Sequence, residues 1–191
     1  MPETKTNGMS DGDAAVPDTV PVSVQPLTHL LDQLRRLVET LDGEQYNTKP
    51  DSTRCGAIGG HVRHTLDHII AWLGGIGGEI VNYDDRQRGT DVETNPQTAL
   101  VVIERCVKHL STITPAQLTQ PVAVFTSMTN DGSLVRLPST HARELAFVFS
   151  HTVHHNAIIG AIARALDVAL PENFGMAPST VAYRNQDRCA R

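Results

Sequence analysis

Two short histidine clusters are the part of the sequence whose residue types and spacing best suit chemistry. They hold six of the nine histidines, namely His61, His64, His68, His151, His154 and His155. His151 and His155 are four residues apart, which on an α-helix places both side chains on one face, about 6 Å apart along the axis. Two imidazoles at that spacing can share one metal ion.

The first cluster can supply a third ligand. His61, His64 and His68 lie at i, i+3 and i+7, so they share one stripe of a helix. One of them, together with His151 and His155, would make a three-histidine site with open coordination positions for water or substrate, which is the arrangement of catalytic metal sites. The alternative is that these histidines line the edge of the core and bond to backbone or carboxylate groups.

Several familiar catalytic motifs are absent. Thr152 follows His151, so the H-E-x-x-H motif of zinc proteases is missing. No E-x-x-H occurs, which excludes the ferritin-like di-iron pattern. The GGIGG stretch at 74–78 lacks the G-K-[ST] of a phosphate loop and is typical of a helix end and linker.

Glu144 precedes His151 by seven residues and therefore lies on nearly the same helical stripe. One interpretation is that its carboxylate orients a ligand histidine. The other is that it is a solvated residue in the first turn, where the helix dipole favours negative charge.

Apolar periodicity predicts four helices and one hairpin around these histidines. The helices are predicted over 26–42, 57–73, 96–111 and from after Pro138 to about 167, and the hairpin over 121–137. We expect an all-α fold, a four-helix bundle with a small β-hairpin before the last helix, and its long loops allow at least one crossover connection. Residues 1–26 are predicted to be a flexible tail, 27–167 the bundle, and 168–191 a tail that packs on it.

Composition narrows the range of partners. The 191 residues carry a net charge of −5 without a Lys/Arg run, which argues against nucleic acid as the main partner. No apolar run of ~18 residues is evident, so we expect no membrane span. Cys55, Cys106 and Cys189 form no C-x-x-C pair, and their odd number favours a reducing cytoplasm over a disulfide framework.

Four segments resemble the DinB-like superfamily, also called DinB/YfiT-like. They are AIGGHVRHTLDHI (57–69), NYDDRQR (82–88), ELAFVFSHTVHHNAII (144–159) and FGMAPSTVAY (174–183). The similarity covers roughly residues 27–183, and its strongest part is the pair of histidine motifs in the right order. The resemblance therefore implies a four-helix bundle with a crossover connection, which is the fold of this family.

The resemblance implies that His64, His151 and His155 bind a divalent metal, which is zinc, nickel or iron in this family. Within the first cluster, His61 and His68 share the stripe of His64, so both stay open as alternatives. Related members include transferases that use low-molecular-weight thiols on small-molecule substrates, and some form homodimers. A metal-dependent hydrolase is the first alternative, and a non-enzymatic, stress-related module that binds a ligand or dimerises is the second.

Arg86 and Arg88, within NYDDRQR, are the candidate residues for binding a carboxylate or the anionic part of a thiol cofactor, because arginine binds such groups through paired hydrogen bonds. The alternative is a solvated loop with local Asp–Arg pairs.

Overall fold

The computed structural model describes residues 22–52, 55–85 and 89–189, the last three of these without their side chains. Over these ranges the chain is mostly helical, with a small three-stranded sheet. The helices are α1 (Gln25–Val38), α2 (Gly43–Asn47), α3 (Ile58–Gly75), α4 (Pro96–Leu110), α5 (Pro115–Leu118), α6 (His141–Ala165) and α7 (Pro178–Cys189), with one 3₁₀ turn at Asp91–Glu93. The strands are β1 (Ile80–Asn82), β2 (Pro121–Ser127) and β3 (Leu134–Thr140).

The four long helices predicted from periodicity are present as α1, α3, α4 and α6. Helix α3 packs on α4 and α6, and α1 packs on the same two helices. Their apolar stripes meet in one core, to which α1 contributes the buried residues Leu27, Leu30, Leu31, Leu34, Leu37 and Val38. Ile70 of α3 lies outside this core and is 47% exposed.

Side-chain caps set the starts of two helices. Asn95 accepts hydrogen bonds from the backbone of Gln97 and Thr98, and Pro96 follows it at the first position of α4. Thr140 caps α6 by accepting from the backbone of Arg143. The start of α6 matters most for function, because this helix carries the second histidine cluster.

Helix α2 lies between the first two helices predicted from periodicity, in a stretch for which no element was predicted. It forms because Asp42 and Gln45 make a capping box and because Tyr46 is fully buried in the core. The Tyr46 hydroxyl donates to the carbonyl of Val92, 2.8 Å away, which ties α2 to the 3₁₀ turn. The sequence offered only five helical residues here, too few for periodicity to reveal.

The predicted hairpin is confirmed as β2 and β3, which pair antiparallel. The sheet has one more strand than predicted, because β1 pairs parallel to β2 within the connection expected over 79–94. Three residues are too few to show the alternation by which a strand is recognised in a sequence. Directly after β1, the Tyr83 backbone N–H donates to the backbone carbonyl of Phe125. This hydrogen bond holds Tyr83 beside the helices.

The structure describes little of the predicted N-terminal tail and most of the predicted C-terminal tail. Residues 1–21, most of the predicted N-terminal tail, lie outside the described residues. The predicted C-terminal tail contains α7, and its Phe174 is buried in the core.

Helix α6 is long and apolar enough, by length and composition alone, to cross a membrane. The expectation of no membrane span is not tested by length and composition, and it stays a prediction. A core helix of a soluble protein meets the same criterion. In this fold α6 contacts α1, α3, α5 and β3.

We predict that Gly59→Ala destabilises the protein, whereas Gly60→Ala does not. A Cβ at Gly59 would overlap the Glu93 carbonyl oxygen and approach Tyr46 Cε1 to 2.5 Å, while a Cβ at Gly60 meets nothing closer than 3.8 Å. Overpacking of this kind costs about 1–3 kcal/mol, and the control is expected to be neutral or up to about 1 kcal/mol stabilising. Urea unfolding of both variants tests this, and equal stabilities would contradict it.

Candidate metal centre

Helices α3 and α6 bring the two histidine clusters together, because they pack against each other along the faces that carry them. The ring centroid of His64 lies 5.0 Å from that of His151 and 4.6 Å from that of His155. The His151 and His155 centroids are 4.5 Å apart. The three residues predicted as ligands are therefore neighbours, and their ligand role stays a prediction.

A second set of three histidines is packed more tightly still. Among the described residues, His64, His68 and His151 have candidate ligand nitrogens that all lie within 4.8 Å of one another. His68 stacks on His151 with ring centroids 4.0 Å apart. The sequence left His68 open as an alternative to His64, whereas this set contains both residues and leaves out His155.

Hydrogen bonding identifies the unprotonated nitrogen of His68. Its Nδ1 lies 3.0 Å from the backbone carbonyl oxygen of His64. Because a carbonyl only accepts, Nδ1 must carry the proton, and in a neutral ring Nε2 is then unprotonated. This outer hydrogen bond is the type that orients histidine ligands in metal sites.

His151 supplies the observation that best supports a metal. Its Nε2 is buried and has no hydrogen-bond partner among the described residues. A buried polar atom left in this state costs about 1–3 kcal/mol. A cation placed among the imidazoles would satisfy it, so this donor set fits a metal ion of the kind that imidazole binds.

Burial lowers the pKa of His151 to about 3, and the nearby His68, His155 and His64 lower it further in the same direction. Burial also lowers the pKa of His155 to about 3, with His64 and His61 as the next causes. Both rings are therefore neutral throughout the ordinary range of histidine titration. The neutral imidazole is the form that binds a metal.

A cavity of about 450 Å³ opens at one side of the cluster. His61, His64 and His155 line it, whereas His68 and His151 do not. Its other lining residues include Asn47, Lys49, Cys55, Arg63 and Glu93. A small molecule in this cavity would therefore meet the His64 and His155 side of the cluster first.

Aromatic rings cover His68 and His151, the two rings that do not line this cavity. Tyr83 stacks on His68 with centroids 5.5 Å apart, and Phe147 lies 5.8 Å from His151. The Tyr83 hydroxyl donates to Glu144 Oε2 at 2.8 Å, and Ser139 Oγ donates to Glu144 Oε1 at 2.5 Å.

The interpretation of Glu144 as the direct partner of a ligand histidine is therefore wrong. Glu144 is buried, but its hydrogen bonds go to Tyr83 and Ser139. Glu144 and His151 are seven positions apart, which corresponds to about 10 Å along the helix, too far for direct contact. Glu144 acts instead on Tyr83, whose ring covers His68. Sequence spacing did not reveal Tyr83, because it reaches the cluster through β1.

The other residues singled out in the sequence are two arginines and the cysteines. Arg86 and Arg88 lie outside the described residues, so their role in binding a cofactor stays a prediction. Cys106 is buried in α4 as expected, and burial raises the pKa of its thiol to about 11. Cys55 is exposed and lines the cavity.

A family comparison decides what kind of protein carries this cluster. The DinB superfamily profile matches residues 27–159, which is more than half of the chain. The chain belongs to the DinB superfamily. The match spans α1 to most of α6 and so includes both histidine clusters, which confirms the family expected from the histidine motifs.

Two further comparisons describe relatives of this DinB superfamily member. A crystal structure of the DinB-like protein YjoA from Bacillus subtilis superposes with a TM-score of 0.53, covering 77% of this chain and 96% of that one at 20% identity, which shows the fold alone. A Rhizopus delemar protein named FK506-binding protein 5 is 30% identical over 105 residues, 54% of this chain. The matched part is only 27% of that protein, so the chain spans about a quarter of its relative's length.

We predict that the metal-free protein loses stability in acid through His151 and His155. Because their pKa values are lowered in the folded state, the unfolded chain binds protons below about pH 6.5 that the folded chain does not. The free energy of unfolding then falls as the pH falls, by at most about 1.4 kcal/mol per pH unit for each residue, and by less at the half-buried His151 because solvent screens it.

Urea unfolding in chelator at about pH 7.5 and about pH 5 measures this. The His151→Gln/His155→Gln variant is expected to lose less stability between the two pH values than the wild type. His29→Gln/His109→Gln, at two exposed histidines, is the matched control. The same loss in all three proteins would contradict the prediction.

Proposed function

We propose that this protein is a metal-dependent enzyme whose divalent metal is held by His64, His151 and His155. The observation that carries the proposal is the buried Nε2 of His151, which has no hydrogen-bond partner among the described residues and lies within a cluster of imidazoles. His155 is preferred to His68 as the third ligand because His155 lines the open cavity together with His64. Zinc, nickel and iron are the metals proposed, since imidazole nitrogen suits all three.

The proposed reaction uses a low-molecular-weight thiol and a small electrophilic substrate. When bound, the metal would act as a Lewis acid and lower the pKa of a thiol or water placed beside it. The protein's own contribution is to hold three neutral imidazoles, to cover His68 and His151 with Tyr83 and Phe147, and to admit small molecules through the 450 Å³ cavity. A cavity of this size suits a small-molecule substrate.

Helices α1, α3, α4 and α6 are proposed to be the four-helix bundle of the family. What supports this is the pattern of contacts, in which α1 and α3 each pack on both α4 and α6. The crossover would then include β1 and the 3₁₀ turn, which lie between α3 and α4. A cytoplasmic location and a homodimer are further proposals that rest on the cysteine pattern and on the family resemblance.

We predict that protein expressed without a histidine tag binds about one metal ion per chain. His64→Ala, His151→Ala and His155→Ala should each lose most of this metal, because removal of one of three ligands leaves a weak two-ligand site. His109→Ala, at an exposed histidine of α4, is the control and should keep it.

Metal content measured by mass spectrometry, with zinc titration of the stripped proteins, gives the answer. If His68→Ala loses the metal and His155→Ala keeps it, the ligands are His64, His68 and His151 instead. If the wild type binds none of the three metals and none raises its melting temperature, the proposal fails.

The activity prediction compares loaded and metal-stripped protein. With a low-molecular-weight thiol and an electrophilic aryl halide, stripping or His64→Ala should lower the rate of thiol consumption at least about 10-fold, while His109→Ala leaves it unchanged. Ester hydrolysis is measured in parallel, and turnover of esters alone would favour a hydrolase. Metal binding without turnover of either substrate would contradict the enzyme and favour a ligand-binding module.

A further inference from the structure

His61 lies beside the proposed metal ligands without belonging to them. Its Nε2 is 2.5 Å from the backbone carbonyl oxygen of Cys55, and its Nδ1 is 3.1 Å from Nδ1 of His155. Both ring nitrogens are therefore occupied by hydrogen bonds. His61 lines the cavity and is half-buried, but no nitrogen remains with which it could bind a metal.

The positions of the protons follow from this chain of two hydrogen bonds. The Cys55 carbonyl can only accept, so His61 Nε2 carries a proton and donates it. In the neutral ring, His61 Nδ1 is then an acceptor, so His155 must donate from its own Nδ1. The second nitrogen of His155, Nε2, is consequently unprotonated.

We propose that His61 is a positioning residue that fixes His155 as the tautomer able to bind metal through Nε2. This inference rests on the proposed function, because it takes His155 as a ligand. A neutral imidazole can carry its proton on either nitrogen, and a His155 ring protonated on Nε2 could not coordinate through that atom. The hydrogen bond from His155 to His61 removes this competing form before the metal arrives.

The local fold holds in place the two hydrogen bonds that link His155 to His61 and His61 to the Cys55 carbonyl. His61 is in the first turns of α3, and Cys55 immediately precedes Gly56, whose φ of +87° is a backbone conformation that favours glycine. The Cys55 carbonyl lies outside the helix and is available to His61. A carbonyl on the backbone is a fixed acceptor that cannot change its protonation, so it sets the direction of both hydrogen bonds.

The tautomers are tested directly by long-range ¹H–¹⁵N NMR of the metal-free wild type at about pH 8, where histidine is neutral. The expected spectrum shows His155 protonated on Nδ1 and His61 protonated on Nε2, with assignments taken from His155→Gln and His61→Asn. A His155 ring protonated on Nε2 would overturn the proposal. This measurement needs no destabilising variant and no bound metal.

Zinc affinity then tests the consequence. His61→Leu removes the acceptor and should weaken zinc binding about 10–100-fold, the usual effect of losing an outer hydrogen bond to a ligand. His61→Asn can keep an acceptor oxygen near the position of Nδ1 and should recover most of that affinity. His109→Leu is the control on an exposed helix face. Cobalt absorption spectra should be alike in wild type and His61→Leu, because the ligand set is the same.

The outcomes separate this proposal from the one it rests on. A wild type that binds no metal overturns the proposed function. A wild type that binds zinc while His61→Leu binds it equally well overturns the positioning role alone. A changed cobalt spectrum in His61→Leu would make His61 a ligand, which also overturns the positioning role. If His61→Leu does not fold, the wild-type tautomers decide.

Discussion

The proposed function depends on one feature of the structure, which is the close approach of neutral imidazoles between α3 and α6. Five histidine rings from these two helices lie with neighbouring centroids 4.0–5.3 Å apart. Packing them together costs hydration, and burial lowers the pKa of both His151 and His155. Protonation would add repulsion to this cost, whereas a cation shared among the nitrogens would offset it. The donor set of the cluster therefore fits a metal ion, whereas its surroundings disfavour protons.

The surrounding structure supports this feature from two directions. On the buried side, β1 delivers Tyr83, and Glu144 holds its hydroxyl so that the ring covers His68. On the open side, α2 and the 3₁₀ turn pack closely against the start of α3, an approach that Gly59 permits because it has no side chain. The histidine cluster is thus held by aromatic packing at His68 and His151 and by hydrogen bonds from His61 and His68 to backbone carbonyls.

Helical periodicity was enough to predict most of the scaffold. Long stripes such as Leu27 to Val38 bury one face of each helix, and the caps at Asn95 and Thr140 agree with their sequence signals. The spacing of His151 and His155 likewise predicted that they share one helical face, and the structure places His64 beside both. What could not be predicted depends on contacts between distant segments. Tyr83 lies against His68 because β1, which precedes it, pairs parallel to β2. The positioning role of His61 follows from its hydrogen bond to the Cys55 carbonyl, which lies in a loop.

The central claim is that these imidazoles are a metal centre, and X-ray absorption at the edge of the bound metal tests it most directly. Zinc-loaded protein is predicted to show a first shell of nitrogen at about 2.0–2.1 Å, with the outer-shell scattering that imidazole rings produce from three histidines. Loss of one imidazole in His155→Ala would identify the third ligand. A first shell of oxygen without imidazole scattering, or a spectrum unchanged by substitution of His64 and His151, would contradict the account.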